Sequence, residues 1–349
     1  MYRKNRKAAI LAAAFLMAAL TGCAQSGGQS ASEAGSTSQE STAEASSAAG
    51  SESAAEGTKE AADADASKKA ANPGGKDGVF TIAYAPNEST DQSTDARSGM
   101  AKDLEAVLGC PVEEILASDY NAIIEALRTD KADMAYMGAL AVALGSERAQ
   151  VEPIAMKAED GDRSKAVYHS DLIVRADNAD INSITDIKGK SIAFVDPDST
   201  SGNLVPTAEI LKAFPNEGLD SNKLHTNGDF FEAVSFSGSH QAGLQAVIKG
   251  DVDIAPISDQ ILASEISKGA AKKEDVKVIH ESAEIPAEAV VVSASVDDAT
   301  KQELQNFLVS YDNQAYFTDV IKNPKARFIP ASISDYEPII ELNKLINEE

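Results

Sequence analysis

The stretch SIAFVDPDSTSGNLVPTAEILKAF, residues 191–214, places a strand pattern directly before a helix pattern. Its first five residues form a largely apolar run that is typical of a buried strand. Its last eight residues have the apolar spacing of a helix. Between them lie three consecutive hydroxyl side chains, Ser199, Thr200 and Ser201, followed by Gly202. The stretch therefore predicts an α/β unit with a polar loop at the carboxyl end of its strand.

The same alternation runs through the chain from Gly78 onward. Further strand-like runs are GVFTIAYAP, ADMAYMG, SDLIVRA, DVDIAPI, VKVIHE and AEAVVVSA. Helix-like stretches such as ARSGMAKDLEAVLG, DYNAIIEALRTD and QAGLQAVIKG lie among them. Short apolar runs that alternate with amphipathic helices predict an α/β fold with mainly parallel sheets.

Two segments match at a constant offset of 120 residues: YNAIIEALRTDKADMA at 120–135 and HQAGLQAVIKGDVDIA at 240–255. Each has the pattern of a helix, a loop and a strand. A pseudo-repeat and the general form of α/β units explain the match equally well. Under either explanation, Tyr120 and His240 occupy equivalent positions at the starts of two helices.

The loop that contains Gly202 has the features of an anion site. Helix starts attract anions, because the first N–H groups have no partner within the helix and the macrodipole is positive there. Ligands of open α/β sheets lie outside the carboxyl ends of the strands, where helices start. Gly202 lets a ligand oxygen approach the backbone closely. A helix cap would account for one hydroxyl but not for three, so the loop predicts a site for a tetrahedral oxyanion.

The N-terminal residues predict a lipid anchor and a linker. A basic start is followed by 13 apolar residues and LTGC, which together form a secretory signal. The apolar run is shorter than the about 20 residues that span a bilayer. LTGC resembles the lipobox of bacterial lipoproteins, so we expect residues 1–22 to be removed and Cys23 to be acylated. Residues 24–77 contain no aromatic and no branched aliphatic side chain, which predicts that 23–77 is an acylated, disordered linker.

Composition and missing motifs argue against nucleic acid, metal and cofactor binding. From Gly78 onward the chain carries 23 Lys and Arg against 46 Asp and Glu, so we expect no nucleic-acid partner. Cys110, the other cysteine, is expected to be a small buried residue. No cluster with metal-ligand spacing and no Walker or dinucleotide glycine pattern occurs, so we expect neither a metal nor a cofactor. The Gly-x-Ser-x-Gly elbow of hydrolases is also missing.

Four segments, in this order, resemble the signature segments of phosphonate- and phosphite-type substrate-binding proteins of ABC transporters. They are SDYNAIIEALRTDKADMAYMG, VYHSDLIVRAD, ITDIKGKSIAFVDPDSTSGNLVP and SGSHQAGLQAVIKGDVDIA. The resemblance runs from about Ile82 to about Tyr336. It implies a type II periplasmic-binding-protein fold, in which two α/β domains close over the ligand by a hinge. The first domain would comprise residues 79–176 plus 285–349, and the second 177–284.

The resemblance also implies the ligand contacts. In that family the Ser-Thr-Ser loop and the histidine of the Gly-x-His segment hold the ligand oxygens, and tyrosines of the other domain close the cleft. The matching positions are Ser199, Thr200, Ser201, His240, Tyr120 and Tyr168. The acid of the returning crossover maps to Glu288. Where amine-binding members have a further acid, this chain has Gln260 with Asp259 beside it, which argues against an aminoalkylphosphonate ligand.

Glu288 raises an electrostatic question. A carboxylate faces an oxyanion favourably only if a proton lies between them, or if the ligand carries an ammonium group. Because Gln260 occupies the second acidic position, the sequence favours a shared proton and a small ligand. Tyr84 and Tyr136 are expected to be packing residues.

Together these patterns predict a lipid-anchored, non-enzymatic receptor on the extracytoplasmic side of a membrane. It would act as a monomer, capture a small phosphorus oxyanion (phosphonate, phosphite or phosphate), and present it to an ABC permease and its ATPase. Two alternatives stay open. One is a lipoprotein that reports the same ligand to a signalling receptor, and the other is a secreted phosphoester hydrolase that uses Ser, His and Asp.

Overall fold

The computed structural model describes residues 77–347. The predicted signal peptide, Cys23 and nearly all of the predicted linker lie outside the described residues. The strands are β1 (Phe80–Tyr84), β2 (Val112–Leu116), β3 (Met134–Met137), β4 (Glu152–Glu159), β5 (Val167–Tyr168), β6 (Ser170–Arg175), β7 (Ser191–Phe194), β8 (Ala233–Phe236), β9 (Ile254–Ser258), β10 (Val276–Glu281), β11 (Ile285–Pro286), β12 (Ala289–Val292) and β13 (Ala326–Pro330). The α-helices are α1 (Thr94–Leu108), α2 (Tyr120–Arg128), α3 (Ala139–Ala149), α4 (Val205–Ala213), α5 (Ser221–Leu224), α6 (His240–Lys249), α7 (Asp259–Ser267), α8 (Asp298–Ser310), α9 (Gln314–Asp319) and α10 (Glu337–Asn347). Within 77–347, none of these helices is both long enough and apolar enough to cross a membrane.

The strands form two large mixed sheets, which confirms the α/β class. The first sheet has the order β13-β4-β12-β3-β1-β2, and the second has the order β10-β6-β9-β7-β8. In each sheet only the three strands at one end are parallel, and the others are antiparallel. The prediction of mainly parallel sheets is therefore wrong. Antiparallel strands such as β6 and β12 are buried on both faces, so their sequences are as continuously apolar as those of parallel strands.

The two sheets share one topology. β3-β1-β2 in the first corresponds to β9-β7-β8 in the second, and an antiparallel strand, β12 or β6, lies beside β3 or β9. The equivalence of Tyr120 and His240 is confirmed, because each is the first residue of its helix. The residues before them, Asp119 and Ser239, accept a hydrogen bond from the N–H three residues further on.

Helices cover both faces of each sheet, so every central strand contributes to two hydrophobic cores. In β3, Ala135 and Met137 pack with α2 and α3 on one face, and Met134 and Tyr136 pack with α1 and α8 on the other. The second sheet has α4 on one face and α6 and α7 on the other. Helix α1 ends as the sequence predicts, at Gly109, whose φ of 70° places it in the left-handed region. This layering leaves the carboxyl ends of the parallel strands free to form a site.

The chain passes between the two sheets through a pair of very short strands. β5 and β11 are antiparallel, with Ile285 opposite Tyr168 and Pro286 opposite Val167. The segment 170–175, which the sequence analysis assigned to the first domain, pairs with β9 and β10 of the five-stranded sheet. The crossovers therefore lie at β5 and β11.

Candidate oxyanion-binding site

A cavity of about 30 Å³ lies where the parallel strands of both sheets end. The loop after β1 and the starts of α2 and α3 form one side, and the loop after β7 and the start of α6 form the other. A single water needs roughly 10–15 Å³ measured in the same way, so the cavity has room for a group of a few heavy atoms. Seven residues that the family resemblance implies as ligand contacts all line it: Tyr120, Tyr168, Ser199, Thr200, Ser201, His240 and Glu288.

The three hydroxyls of the loop after β7 have three different protein partners. Ser199 Oγ accepts from the N–H of Gly202 and so caps the helical turn that begins at Thr200. Thr200 Oγ1 accepts from Leu140 N at 2.8 Å, which links this loop to the start of α3 below the other sheet. Ser201 Oγ lies 3.3 Å from Nε2 of His240. The cap explains only Ser199, and the Thr200 hydroxyl proton remains available to a group in the cavity.

Tight packing against β7 holds this loop in place. The N–H of Val195 donates to the carbonyl of Gly202 at 3.0 Å. A Cβ atom at Gly202 would lie 2.3 Å from Cβ of Val195 and 2.7 Å from Oγ of Ser199. Gly202 is therefore required by the close approach of the loop to the strand. Pro206, in the first turn of α4, needs no N–H partner and fits the helix start.

His240 is a neutral hydrogen-bonding group in this environment. Burial lowers its pKa to about 4, and the backbone carbonyl of Pro256 beside the ring opposes that shift. Nδ1 lies 3.3 Å from the backbone N of Ser258. In the tautomer that lets Nδ1 accept from this N–H, Nε2 carries the proton and presents a donor beside Ser201. A bound anion would stabilise the charged ring and raise the pKa of His240.

The two predicted tyrosines are neutral phenols. Burial is the main cause that raises the pKa of Tyr120, and Glu88 adds to the shift. Burial likewise raises the pKa of Tyr168, with Glu288 as the next cause. Both side chains are at least nine-tenths buried, and each hydroxyl can donate one hydrogen bond.

Three further residues with polar side chains line the cavity, and the sequence analysis did not identify them as ligand contacts: Asn87, Glu88 and Tyr136. Asn87 joins the two sides, because its Oδ1 accepts from the backbone N–H of His240 at 3.1 Å and its Nδ2 donates to the hydroxyl of Tyr120. Tyr136 packs in the core as expected and also reaches the cavity, and its buried hydroxyl has no partner among the described residues. Each of these positions depends on the meeting of the two sheets, and no local sequence signal marks it.

Glu288 has a partner that the sequence did not indicate. Its Oε2 lies 2.6 Å from Nζ of Lys157, and Lys157 is itself buried. The same ammonium lies 5.5 Å from the centre of the Tyr168 ring. Because Glu288 and Lys157 together carry no net charge, an ionised Glu288 can line an anion site with little repulsion.

Asp259 and Gln260 do not line the cavity. Oδ1 of Asp259 accepts from the backbone N–H of His169 at 3.1 Å, and Nε2 of Gln260 donates to the carbonyl of Val167 at 3.3 Å. Both residues instead fix the crossover near β5. Within residues 77–347, no group of His, Cys, Asp and Glu is arranged to hold a metal ion.

The family model for periplasmic substrate-binding proteins of phosphonate ABC transporters matches residues 82–336. The chain belongs to this family. The curated relatives include the phosphate-import protein PhnD of Mycolicibacterium smegmatis, 32% identical over 208 residues, and the phosphonates-binding periplasmic protein of Escherichia coli, 31% identical over 215 residues. These matches cover 58% and 60% of this chain, but only 63% and 59% of the two relatives.

Solved structures support the type II periplasmic-binding-protein fold. The binding component of a phosphonate ABC transporter from Pseudomonas aeruginosa superposes with a TM-score of 0.66 at 26% identity, covering 76% of this chain and 86% of that one. PhnD1 from Prochlorococcus marinus, solved with methylphosphonate, has the same TM-score at 19% identity and covers 78% of this chain and 99% of its own. The second match bears on the fold alone.

Proposed function

We propose that this protein is an extracytoplasmic receptor for a small phosphorus oxyanion and delivers it to an ABC importer. The observation that carries the proposal is that Ser199, Thr200, Ser201, His240 and two neutral phenols, Tyr120 and Tyr168, line one cavity between the two sheets. Family membership supports the same function, since the relatives include a phosphate-import protein and a phosphonates-binding periplasmic protein.

The donors suffice for a tight site on an acidic protein. A hydrogen bond to a charged group contributes about 1.5–3 kcal/mol. Four or five of them, reduced by the cost of association, reach the roughly 8 kcal/mol of a micromolar complex. The size of the cavity, about 30 Å³, favours phosphate, phosphite or a short phosphonate over a ligand with a long substituent.

We further propose that the two sheets belong to two domains that rotate about β5 and β11. Each side of the cavity belongs to a different sheet, so ligand entry requires the two sheets to separate. The hydrogen bonds of Asn87 to His240 and of Thr200 to Leu140 are among those that an opening motion would break.

The direct test is calorimetric titration of the purified full-length protein with phosphate, phosphite, methylphosphonate, an aminoalkylphosphonate and sulfate. We expect micromolar or tighter binding of at least one small phosphorus oxyanion. Binding of none of them would refute the receptor function. Uptake of the bound ligand by cells with and without the protein separates an importer component from a sensor, because a sensor leaves initial uptake unchanged.

Replacement of His240 by Ala should weaken binding of that ligand by about ten- to hundredfold, because one donor to a charged group is lost. The same calorimetric titration measures the change. His280→Ala is the matched control, since His280 pairs with Glu209 away from the cavity and its loss should leave the affinity unchanged. Equal affinities of His240→Ala and wild type would place the ligand elsewhere.

We propose that Cys23 is acylated and holds the protein at the membrane. Cys23→Ser should move the protein from the membrane fraction to the soluble fraction without a change in ligand affinity, because 54 residues separate Cys23 from Gly78. Cell fractionation and immunoblotting measure this. Cys110→Ser, a change at the other cysteine, should leave the protein in the membrane fraction. Persistent membrane association of Cys23→Ser would contradict the lipid anchor.

A further inference from the structure

The wall of the cavity contains a carboxyl group that the proposed function has not yet used. Glu88 is 8% exposed and lines the cavity. Its Oε2 is buried and has no hydrogen-bond partner among residues 77–347. An unpaired buried carboxylate is strongly unfavourable, so a group in this position is either neutral or compensated by something that enters the cavity.

The backbone fixes Glu88 at this place. Its carbonyl accepts from Nη1 of Arg97 at 2.7 Å and from the hydroxyl of Ser93, and its N–H donates to the carbonyl of Ala85 at 3.0 Å. Arg97 is buried and forms an ion pair with Glu114 at 3.0 Å. With its backbone held at both polar groups, Glu88 keeps its side chain at the cavity.

Burial favours the protonated form of Glu88, and the surrounding charges only partly oppose it. Burial raises the pKa of the Glu88 carboxyl, the nearby Glu288 raises it further, and Lys322 and Lys157 oppose the shift. Lys157 forms an ion pair with Glu288, with Nζ 2.6 Å from Oε2, and Nζ of Lys322 donates to the carbonyl of Asp319. Among the described residues, no cation lies within ion-pair distance of Glu88. Of the two carboxyls at the cavity, Glu288 has a cation within ion-pair distance and Glu88 has none at that distance.

We propose that Glu88 is a specificity-determining residue that shares one proton with the bound oxyanion. In the complex the carboxyl O–H donates to a ligand oxygen. A monoprotonated phosphate or phosphonate brings this proton with it, whereas its dianion binds only to protein whose Glu88 is already protonated. This inference rests on the proposed function, and it assigns to Glu88 the shared proton that the sequence analysis assigned to Glu288.

The test measures binding of methylphosphonate and of inorganic phosphate to the full-length protein over a series of pH values. Above both the second ionisation of the ligand and the ionisation of Glu88 in the free protein, wild-type affinity should fall about tenfold per pH unit. Titrations in two buffers of different ionisation enthalpy should show the uptake of one proton per ligand in this range. Glu88→Gln supplies an amide donor that does not titrate, so its affinity should be constant there and its proton uptake zero.

Asp171→Asn is the matched control. Asp171 is also buried, its Oδ1 has no hydrogen-bond partner among the described residues, and burial raises its pKa to about 7, but it does not line the cavity. The affinity of Asp171→Asn should therefore fall with pH as steeply as that of the wild type. If the affinity of Glu88→Gln still falls with rising pH, the proposal is wrong, and the proton lies on another group such as His240.

Two outcomes keep the inference separate from the function itself. If the wild type binds either ligand without proton uptake above both ionisations, the inference about Glu88 is wrong and the receptor function stands, whether or not Glu88→Gln folds. If neither wild type nor any variant binds a phosphorus oxyanion, the proposed function is wrong, and the inference fails with it.

Discussion

Gly202→Ala is expected to reduce ligand affinity by at least about a hundredfold. The added Cβ would lie 2.3 Å from Cβ of Val195, a distance that neither atom can relieve by rotating a flexible side chain. The loop must therefore move away from β7, and the hydroxyls of Ser199, Thr200 and Ser201 move with it. Two misplaced donors to a charged ligand account for about 3–6 kcal/mol. Calorimetric titration with the phosphorus oxyanion that binds wild type measures this loss.

The same substitution should lower the free energy of unfolding by about 1–3 kcal/mol, the usual cost of overpacking. Gly99→Ala is the matched control, because a Cβ at Gly99, inside α1, meets no atom closer than 3.7 Å. It should keep ligand affinity unchanged and should not reduce stability, since Ala is the better helix former. Wild-type affinity in Gly202→Ala would show that the loop does not hold the ligand.

Thr200→Val is expected to weaken binding by about ten- to hundredfold through the loss of one donor to the ligand. The valine has nearly the same shape, so packing changes little, but it also leaves the N–H of Leu140 without its 2.8 Å acceptor. Because that bond joins the two sides of the cavity, its loss also destabilises the closed arrangement, which increases the effect on affinity.

Thr207→Val provides the comparison for this change. Thr207 is as deeply buried as Thr200, and its Oγ1 lies 3.5 Å from Nε2 of His225, outside the cavity. The two variants remove the same atoms from equally buried sites, so only Thr200→Val should change the affinity in titrations with one ligand. A similar loss in both would assign the effect to general destabilisation.

The local part of the fold could be read from the sequence. The helix starts at Tyr120 and His240, the helix end at Gly109 and the strand Val276–Glu281 all have signals within a few residues, and the structure confirms them. The direction of β6 and β12 could not be read. Both strands are buried on both faces, so their apolar patterns contain no information about which neighbour they pair with.

The site could be predicted only where a loop or helix start carries its own signal. The three hydroxyls after β7 and the first residue of α6 are such cases, and both lie at the cavity. Glu88 lies in APNESTDQ, a stretch with the composition of an ordinary exposed turn, and its burial comes from elements distant in the sequence. Lys157 and Glu288 pair across 131 residues, so the charge balance at the cavity became visible only in three dimensions.

Tyr168 lies on β5, one of the two crossovers, and at the same time lines the cavity. In a rotation about β5 and β11, a point on the axis moves very little, whereas Thr200 and His240 would move with the five-stranded sheet. Tyr168 would therefore keep nearly the same position relative to the cavity throughout the motion. In the proposed rotation Tyr168 would therefore be available to a ligand in both the open and the closed arrangement, whereas the residues far from the axis would reach the ligand only as the cleft closes.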